Sequence, residues 1–197
     1  GIAPVTGGEI KMHGKKVKLH STHEAIRHRI GLAPESRKTQ GLVLLLPVWE
    51  YMSMVALKKF KSKGKINYPG VSRECESYIE KLKVKTPSIY TKTGNLSGGN
   101  QQKVILAKWL MQDCDILLLD EPTQGIDVMA KEEIYKLIQD MATAGKSVIF
   151  VSSELLELLR VSDSIHVMYD GRQVLETNRA NFNSDQILHA SVVGRVL

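Results

Sequence analysis

One stretch constrains this chain more than any other: Ile116-Leu117-Leu118-Leu119, followed at once by Asp120-Glu121. Four large apolar residues in a row, with no alternation, suit a strand buried on both faces, as in a parallel sheet. Such a strand presents its two acids at its carboxyl end, the edge where open α/β sheets bind ligands. Neighbours on an extended chain point opposite ways, so the two carboxylates are fitted for different tasks. One can hold Mg²⁺, usually through water, and the other can orient an attacking water. The plainer alternative is a strand end carrying two solvated acids.

The segments around that strand alternate in the manner of an α/β fold. Gly98–Met111 has helix-forming composition, and Val128–Ala144 is amphipathic and closes on Gly145. Ser147–Ser152 reads as a second buried strand. Glu154–Arg160 is a short helix, Ser164–Tyr169 and Arg172–Glu176 a hairpin across Asp170-Gly171, and Ser184–Ala190 a last helix. Toward the N-terminus, Glu9–His13 and Lys16–Leu19 form a hairpin-like pair. Ser21 caps Thr22–His28, and Ile30–Ala33 is a short strand stopped by Pro34. Between these flanks, residues 47–93 are helical and lysine-rich, with Val48, Tyr51, Met52, Val55 and Ala56 at helical spacing. The expected architecture is a mainly parallel sheet flanked by helices, with residues 47–93 as an inserted helical subdomain and a small antiparallel β part.

Composition narrows the partners. The 197 residues carry 27 Lys+Arg against 21 Asp+Glu, and 43% are apolar, which suits a globular chain rather than a disordered one. Leu42–Leu46 and Ile116–Leu119 are strand-sized runs, far short of the roughly 18 residues of a membrane span. Two cysteines, Cys75 and Cys114, are too few for a disulfide framework. Lys58, Lys59, Lys61, Lys63 and Lys65 could face nucleic acid or an anionic surface, but they lack aromatic interleaving and any nucleic-acid-binding signature. A solvated loop is expected, with no nucleic-acid partner.

Three further motifs carry chemistry. Leu96-Ser97-Gly98-Gly99-Asn100-Gln101-Gln102-Lys103-Val104 opens a helix with a Ser and two glycines. Free N–H groups and the helix dipole would make an anion site there, and glycine lets a phosphate approach the backbone. An ordinary Ser cap is the alternative. Gln124-Gly125-Ile126-Asp127 is a turn into the next helix, which Asp127 could simply cap. Val148–Val151 runs into Ser152-Ser153-Glu154.

In this order and spacing, Leu96–Val104, Asp120–Thr123, Gly125–Asp127 and Val151–Glu154 resemble the nucleotide-binding domain of an ABC transporter ATPase, with a P-loop NTPase-like fold. Leu96–Gln101 is similar to the signature motif, Ile116–Glu121 to Walker B, and Gly125-Ile126-Asp127 to the D-loop. Gly98–Lys103 and Gly125–Val128 resemble the tandem ATPases of ribose/galactose-type importers, and Ala33–Lys38 and Val151–Leu155 are similar to the C-terminal half of those proteins. Two positions depart from the family pattern. Glu35 stands where a Gln is usual, and Ser153 stands where the switch His is usual. No Gly-x-x-x-x-Gly-Lys-Ser/Thr pattern occurs, so the chain is expected to begin downstream of Walker A.

The resemblance implies ATP and Mg²⁺ as cofactors. It implies Asp120 as the metal residue and Glu121 as the catalytic one. Ser97, Gly98, Gly99, Gln101, Asp127, Ser153 and Glu35 would contact nucleotide, with Ser97, Gly98 and Gly99 serving ATP held by a second nucleotide-binding half. The implied setting is cytoplasmic, at the inner face of the membrane against permease subunits, with sugar uptake as the task. Residues 47–93 would face the permease. Trp49 and Tyr51 would line the groove or belong to the core. Hydrolysis by the chain alone is expected to be weak or absent. A soluble non-transport ABC ATPase and a non-hydrolysing regulatory fragment are the other readings.

Overall fold

In the computed structural model, which describes residues 1–195, three parallel strands form the central sheet. These are β3 (Ile30–Ala33), β6 (Ile116–Asp120) and β7 (Ser147–Val151), in the order β3-β6-β7. The register aligns their carboxyl ends: Ala33 lies beside Leu119, and Asp120 beside Val151. The loops leaving Ala33, Asp120 and Val151 therefore emerge along one edge. Before them come β1 (Ile10–Met12) and β2 (Lys15–Val17), an antiparallel pair, and α1 (Thr22–Arg27). Ser21 Oγ caps α1 by accepting from the Glu24 amide (3.2 Å).

Helix α4 (Gly98–Met111) is buried almost all round. It runs between the sheet and residues 47–93, which supply α2 (Val48–Ser53) and α3 (Tyr68–Lys81). Val48, Met52, Val71 and Cys75 of those helices join Val104–Ala107 of α4 and Leu117 and Leu119 of β6 in one core. Each Val, Leu, Ile or Met among them contributes roughly 1.5–3 kcal/mol by leaving water. Gly31 makes the contact of α4 with β3 possible, since a Cβ there would lie 2.7 Å from the Trp109 ring. Trp109 Nε1 donates to the Leu32 carbonyl (2.8 Å).

The lysine-rich segment is a solvated turn followed by a tiny hairpin, β4 (Lys61–Ser62) and β5 (Lys65–Ile66). Helix α5 (Val128–Thr143) packs beside α4 and leads to β7, after which comes α6 (Leu155–Val161). The last unit is the antiparallel hairpin β8 (Ser164–Tyr169) and β9 (Arg172–Asn178) with α7 (Ser184–Val193). Ile165, Val167, Ile187 and Ala190 give it a separate small core.

One expectation is corrected, a strand-sized run turns out to be a loop, and the open choice for Tyr51 is decided. Strand β7 is not buried on both faces: it pairs only with β6 among the described residues, and Ile149 and Val151 are 56% and 52% exposed. They line a cleft of about 1170 Å³ that also takes in Leu158, Ile165, Val167 and Ile187. The apolar run Leu42–Leu46 forms no strand. The Leu44 and Leu46 carbonyls accept from the amides of Gly94 and Thr93 (3.0 and 2.9 Å), and the segment is a loop with Val43 and Leu45 exposed. Of the two alternatives for Tyr51, the structure shows the core one. Tyr51 is 1% exposed, and its hydroxyl donates to the Gly41 carbonyl (2.5 Å). Trp49 is half-buried, edge-on to Tyr68 with ring centres 6.0 Å apart.

Candidate functional site

The residues singled out by sequence fall into two neighbouring groups. The first stands at the start of α4. Ser97 occupies the N-cap position, but its hydroxyl makes no cap bond and accepts instead from Asn100 Nδ2 (2.8 Å). The first turn of α4 is thus not closed by its own Ser. Gly98 faces the turn before α5: a Cβ on it would lie 3.4 Å from the Gly125 carbonyl and 3.2 Å from Arg37 Nη2. Gly99 is required for another reason, because a Cβ there would meet Ala130 Cβ at 2.6 Å. Its lack of a side chain serves helix packing.

Gln101 departs from its expected role. It is 4% exposed, and Nε2 donates to the Thr93 carbonyl (3.3 Å), so it holds the helix entry instead of facing outward. Asp127 caps α5, its Oδ1 accepting from the Ala130 amide (3.0 Å).

The second group lies at the end of β6. Asp120 is half-buried, and its carboxylate makes no hydrogen bond among the described residues. Glu121 has a left-handed backbone (φ 43°), strained for a residue with a side chain. That twist turns the chain out of the sheet. The Glu121 amide donates to the Val151 carbonyl (2.9 Å), and its Oε1 accepts from the Ser153 amide (2.7 Å). The two adjacent acids are therefore divided: one is tied to the loop after β7, and the other has no such tie. Ser153 is exposed and offers an uncharged hydroxyl. Glu35 is exposed in the loop after β3, with no hydrogen bond among the described residues.

Two site residues escaped the sequence reading. Arg37, two positions beyond Glu35, donates from Nη1 to the Gln124 carbonyl (2.5 Å) and from Nη2 to the Gly125 carbonyl (3.4 Å). It ties the loop after β3 to the turn before α5, across 87 residues of sequence. Nothing local in the sequence announces that link. Glu157 of α6 is 3% exposed and accepts from Thr123, Ser152, Tyr135 and Lys131. Burial pushes its carboxyl up, but the hydrogen bonds from Lys131, Thr123, Tyr135 and Ser152 outweigh that and hold it below the usual range. One signal was available: Glu157 is a charge inside the apolar run Leu155-Leu156-Glu157-Leu158-Leu159.

A family model described as ABC transporter matches residues 1–124, more than half of the chain. The chain belongs to the ABC transporter family. The match takes in the Ser97–Gly99 motif and Asp120-Glu121 of this ABC protein. The chain is 44% identical over 196 residues, 99% of its length, to the ribose import ATP-binding protein RbsA of Rhodopirellula baltica. It spans only about a third of the curated relatives it matches, between 35% and 38% of their lengths. Among solved structures it resembles a dimeric post-hydrolysis ATP-binding cassette bound to ADP and phosphate. That match has a TM-score of 0.75 and 23% identity, covering 92% of this chain and 77% of the other. It also resembles cbiO1 of Clostridium perfringens, with a TM-score of 0.74 and 23% identity, covering 99% and 75%. These likenesses fix the fold of the ABC protein as that of an ATP-binding cassette.

Proposed function

We propose that this chain is the ATP-binding and hydrolysing C-terminal half of an ABC importer's ATPase, coupling ATP binding and hydrolysis to sugar uptake. The observation that carries this reading is the edge formed by the aligned strand ends. There Asp120, Glu121 and Ser153 come together, with Glu121 on the Ser153 amide at 2.7 Å. The likeness to a ribose import ATP-binding protein supports sugar as the solute class.

Asp120 fits Mg²⁺: it is a hard oxygen donor without a competing partner. Among the described residues no group of three His, Cys, Asp or Glu forms a metal cage of its own. Mg²⁺ commonly accepts such a setting, one carboxylate completed by phosphate oxygens and water. When bound, it would neutralise charge on the phosphates. Glu121 would orient the attacking water, its carboxylate aimed by the Ser153 amide. The open first turn of α4, at Ser97 and Gly98, would direct N–H groups and the positive end of the helix at the terminal phosphate of ATP held by a second nucleotide-binding half. Asp127 would help hold that contact by fixing the start of α5. Glu35 and residues 47–93 would meet the permease subunits at the inner face of the membrane. No described helix is long and apolar enough to cross a membrane.

Ser153 bears on the rate. A charged imidazole would grip the terminal phosphate more strongly than a neutral hydroxyl does. A second reading, in which the chain binds nucleotide without turning it over, is favoured by Ser153. An assay of Mg-ATP turnover by the chain alone tests the reading that Ser153 leaves this half's own site slow. Weak or absent turnover is expected, and robust turnover abolished by Glu121→Gln would overturn it. In the assembled transporter, Ser97→Arg should remove transport and ATPase together. Unchanged rates would remove the role of α4 at the second half's nucleotide.

A further inference from the structure

Glu157 lies in neither of the loops that carry the proposed chemistry, yet it touches both. Its Oε1 and Oε2 accept from Thr123 Oγ1 at 2.7 and 2.8 Å. Oε2 also accepts from Ser152 Oγ (2.9 Å), and Oε1 from Tyr135 OH and Lys131 Nζ (2.8 Å each). Tyr135 and Lys131 stand on α5, so the carboxylate is anchored to a long helix. Thr123 begins the turn that ends at Asp127, and its carbonyl accepts from the Ile126 amide (3.2 Å). Ser152 precedes Ser153, whose amide holds Glu121. A carboxylate offers about four lone-pair sites, and here all are engaged. A buried network satisfied to this degree holds one geometry, and disturbing one member disturbs the others.

We propose that Glu157 is a positioning residue that joins the Thr123–Asp127 turn and the Ser152–Ser153 loop into one mechanical unit. The functional meaning rests on the ATPase reading above. The turn at Gly125 lies against the start of α4, which serves the second half's nucleotide, while the Ser153 loop holds Glu121 of this half's own site. Through Glu157, the state of one composite site is passed to the other. Lys131 also donates to Glu154 (2.8 Å), so neutralising Glu157 leaves the ammonium a partner.

Amide hydrogen exchange on the full chain tests the link directly. Ser152→Ala, a change in one loop, should speed exchange of the Ile126 amide in the other by about tenfold, and Ser152→Thr should restore it. Glu157→Gln should speed Ser153 and Ile126 together. The Leu118 amide in β6 should stay unchanged in all three variants. Acceleration confined to the mutated loop, or spread equally to Leu118, would overturn the proposal. In the assembled transporter, Ser152→Ala should lower kcat about tenfold with KM for ATP unchanged. An unchanged kcat in an active assembly would overturn the functional coupling. An unmutated assembly that hydrolyses no ATP would sink the ATPase reading instead, leaving the exchange result to decide the mechanical link.

Discussion

Glu157 and Lys108 are both charged and both buried, and the protein treats them in opposite ways. Glu157 has four donor groups around it, two from α5, one from the turn after β6 and one from the loop after β7. Lys108, on α4 and 8% exposed, has no hydrogen bond or carboxylate partner among the described residues. Its ammonium rests over the Tyr51 and Trp109 rings, 4.7 and 4.6 Å from their centres. Burial pulls the lysine down to about 8. The difference separates a charge that organises its surroundings from one that is merely tolerated. Loops of the proposed site converge on Glu157, whereas Lys108 sits where α4 meets the helical block.

Three substitutions break or sharpen this contrast, in descending order of effect. Glu157→Leu should cost about 3–5 kcal/mol in urea unfolding, because it strands three hydroxyls and half of the Lys131 pairing. The carboxyl is held low in the folded state, so its stabilisation is present above the unfolded value and lost as pH falls through the folded one. The variant should therefore lose part of the acid-side decline in stability.

Lys108→Met should act in the opposite direction, stabilising the chain by about 1–3 kcal/mol near neutral pH. A lysine with a depressed folded pKa penalises folding below that value, and the penalty fades as the unfolded lysine also loses its proton. The advantage of the variant should accordingly be full below about 8 and shrink toward 10.5. A constant advantage across that range would mean that the rings, not the missing partner, set the lysine's state. Tyr135→Phe should cost least, about 1 kcal/mol by thermal unfolding. It removes one donor and leaves Lys131, Thr123 and Ser152 in place.

The contrast also shows what a sequence displays and what it conceals. The strand Ile116–Asp120 and the helix Gly98–Met111 were legible because apolar runs, glycine and paired acids act within a few residues of each other. Two adjacent acids with different surroundings were expected from strand alternation, but it is the left-handed turn at Glu121, past the end of β6, that sets their surroundings apart. Glu157 was harder to see: Glu154 and Glu157 are two acids three residues apart on one short stretch, and only tertiary packing makes one exposed and the other buried. Arg37 reaches carbonyls 87 and 88 residues away. Leu42–Leu46 shows the limit of composition. Its composition suits a strand, but its carbonyls are taken by Thr93 and Gly94 in a loop. Gln101 sits in a motif that reads as ligand-facing, and helix packing turns it inward.

Strand β7 has a consequence for handling the protein. Its outer edge offers unpaired backbone groups among the described residues, flanked by exposed Ile149 and Val151. An apolar, uncharged edge of this kind is a template for another extended chain. Clumping of the purified chain would therefore begin from the folded molecule, edge to edge, and would follow protein concentration more closely than heat.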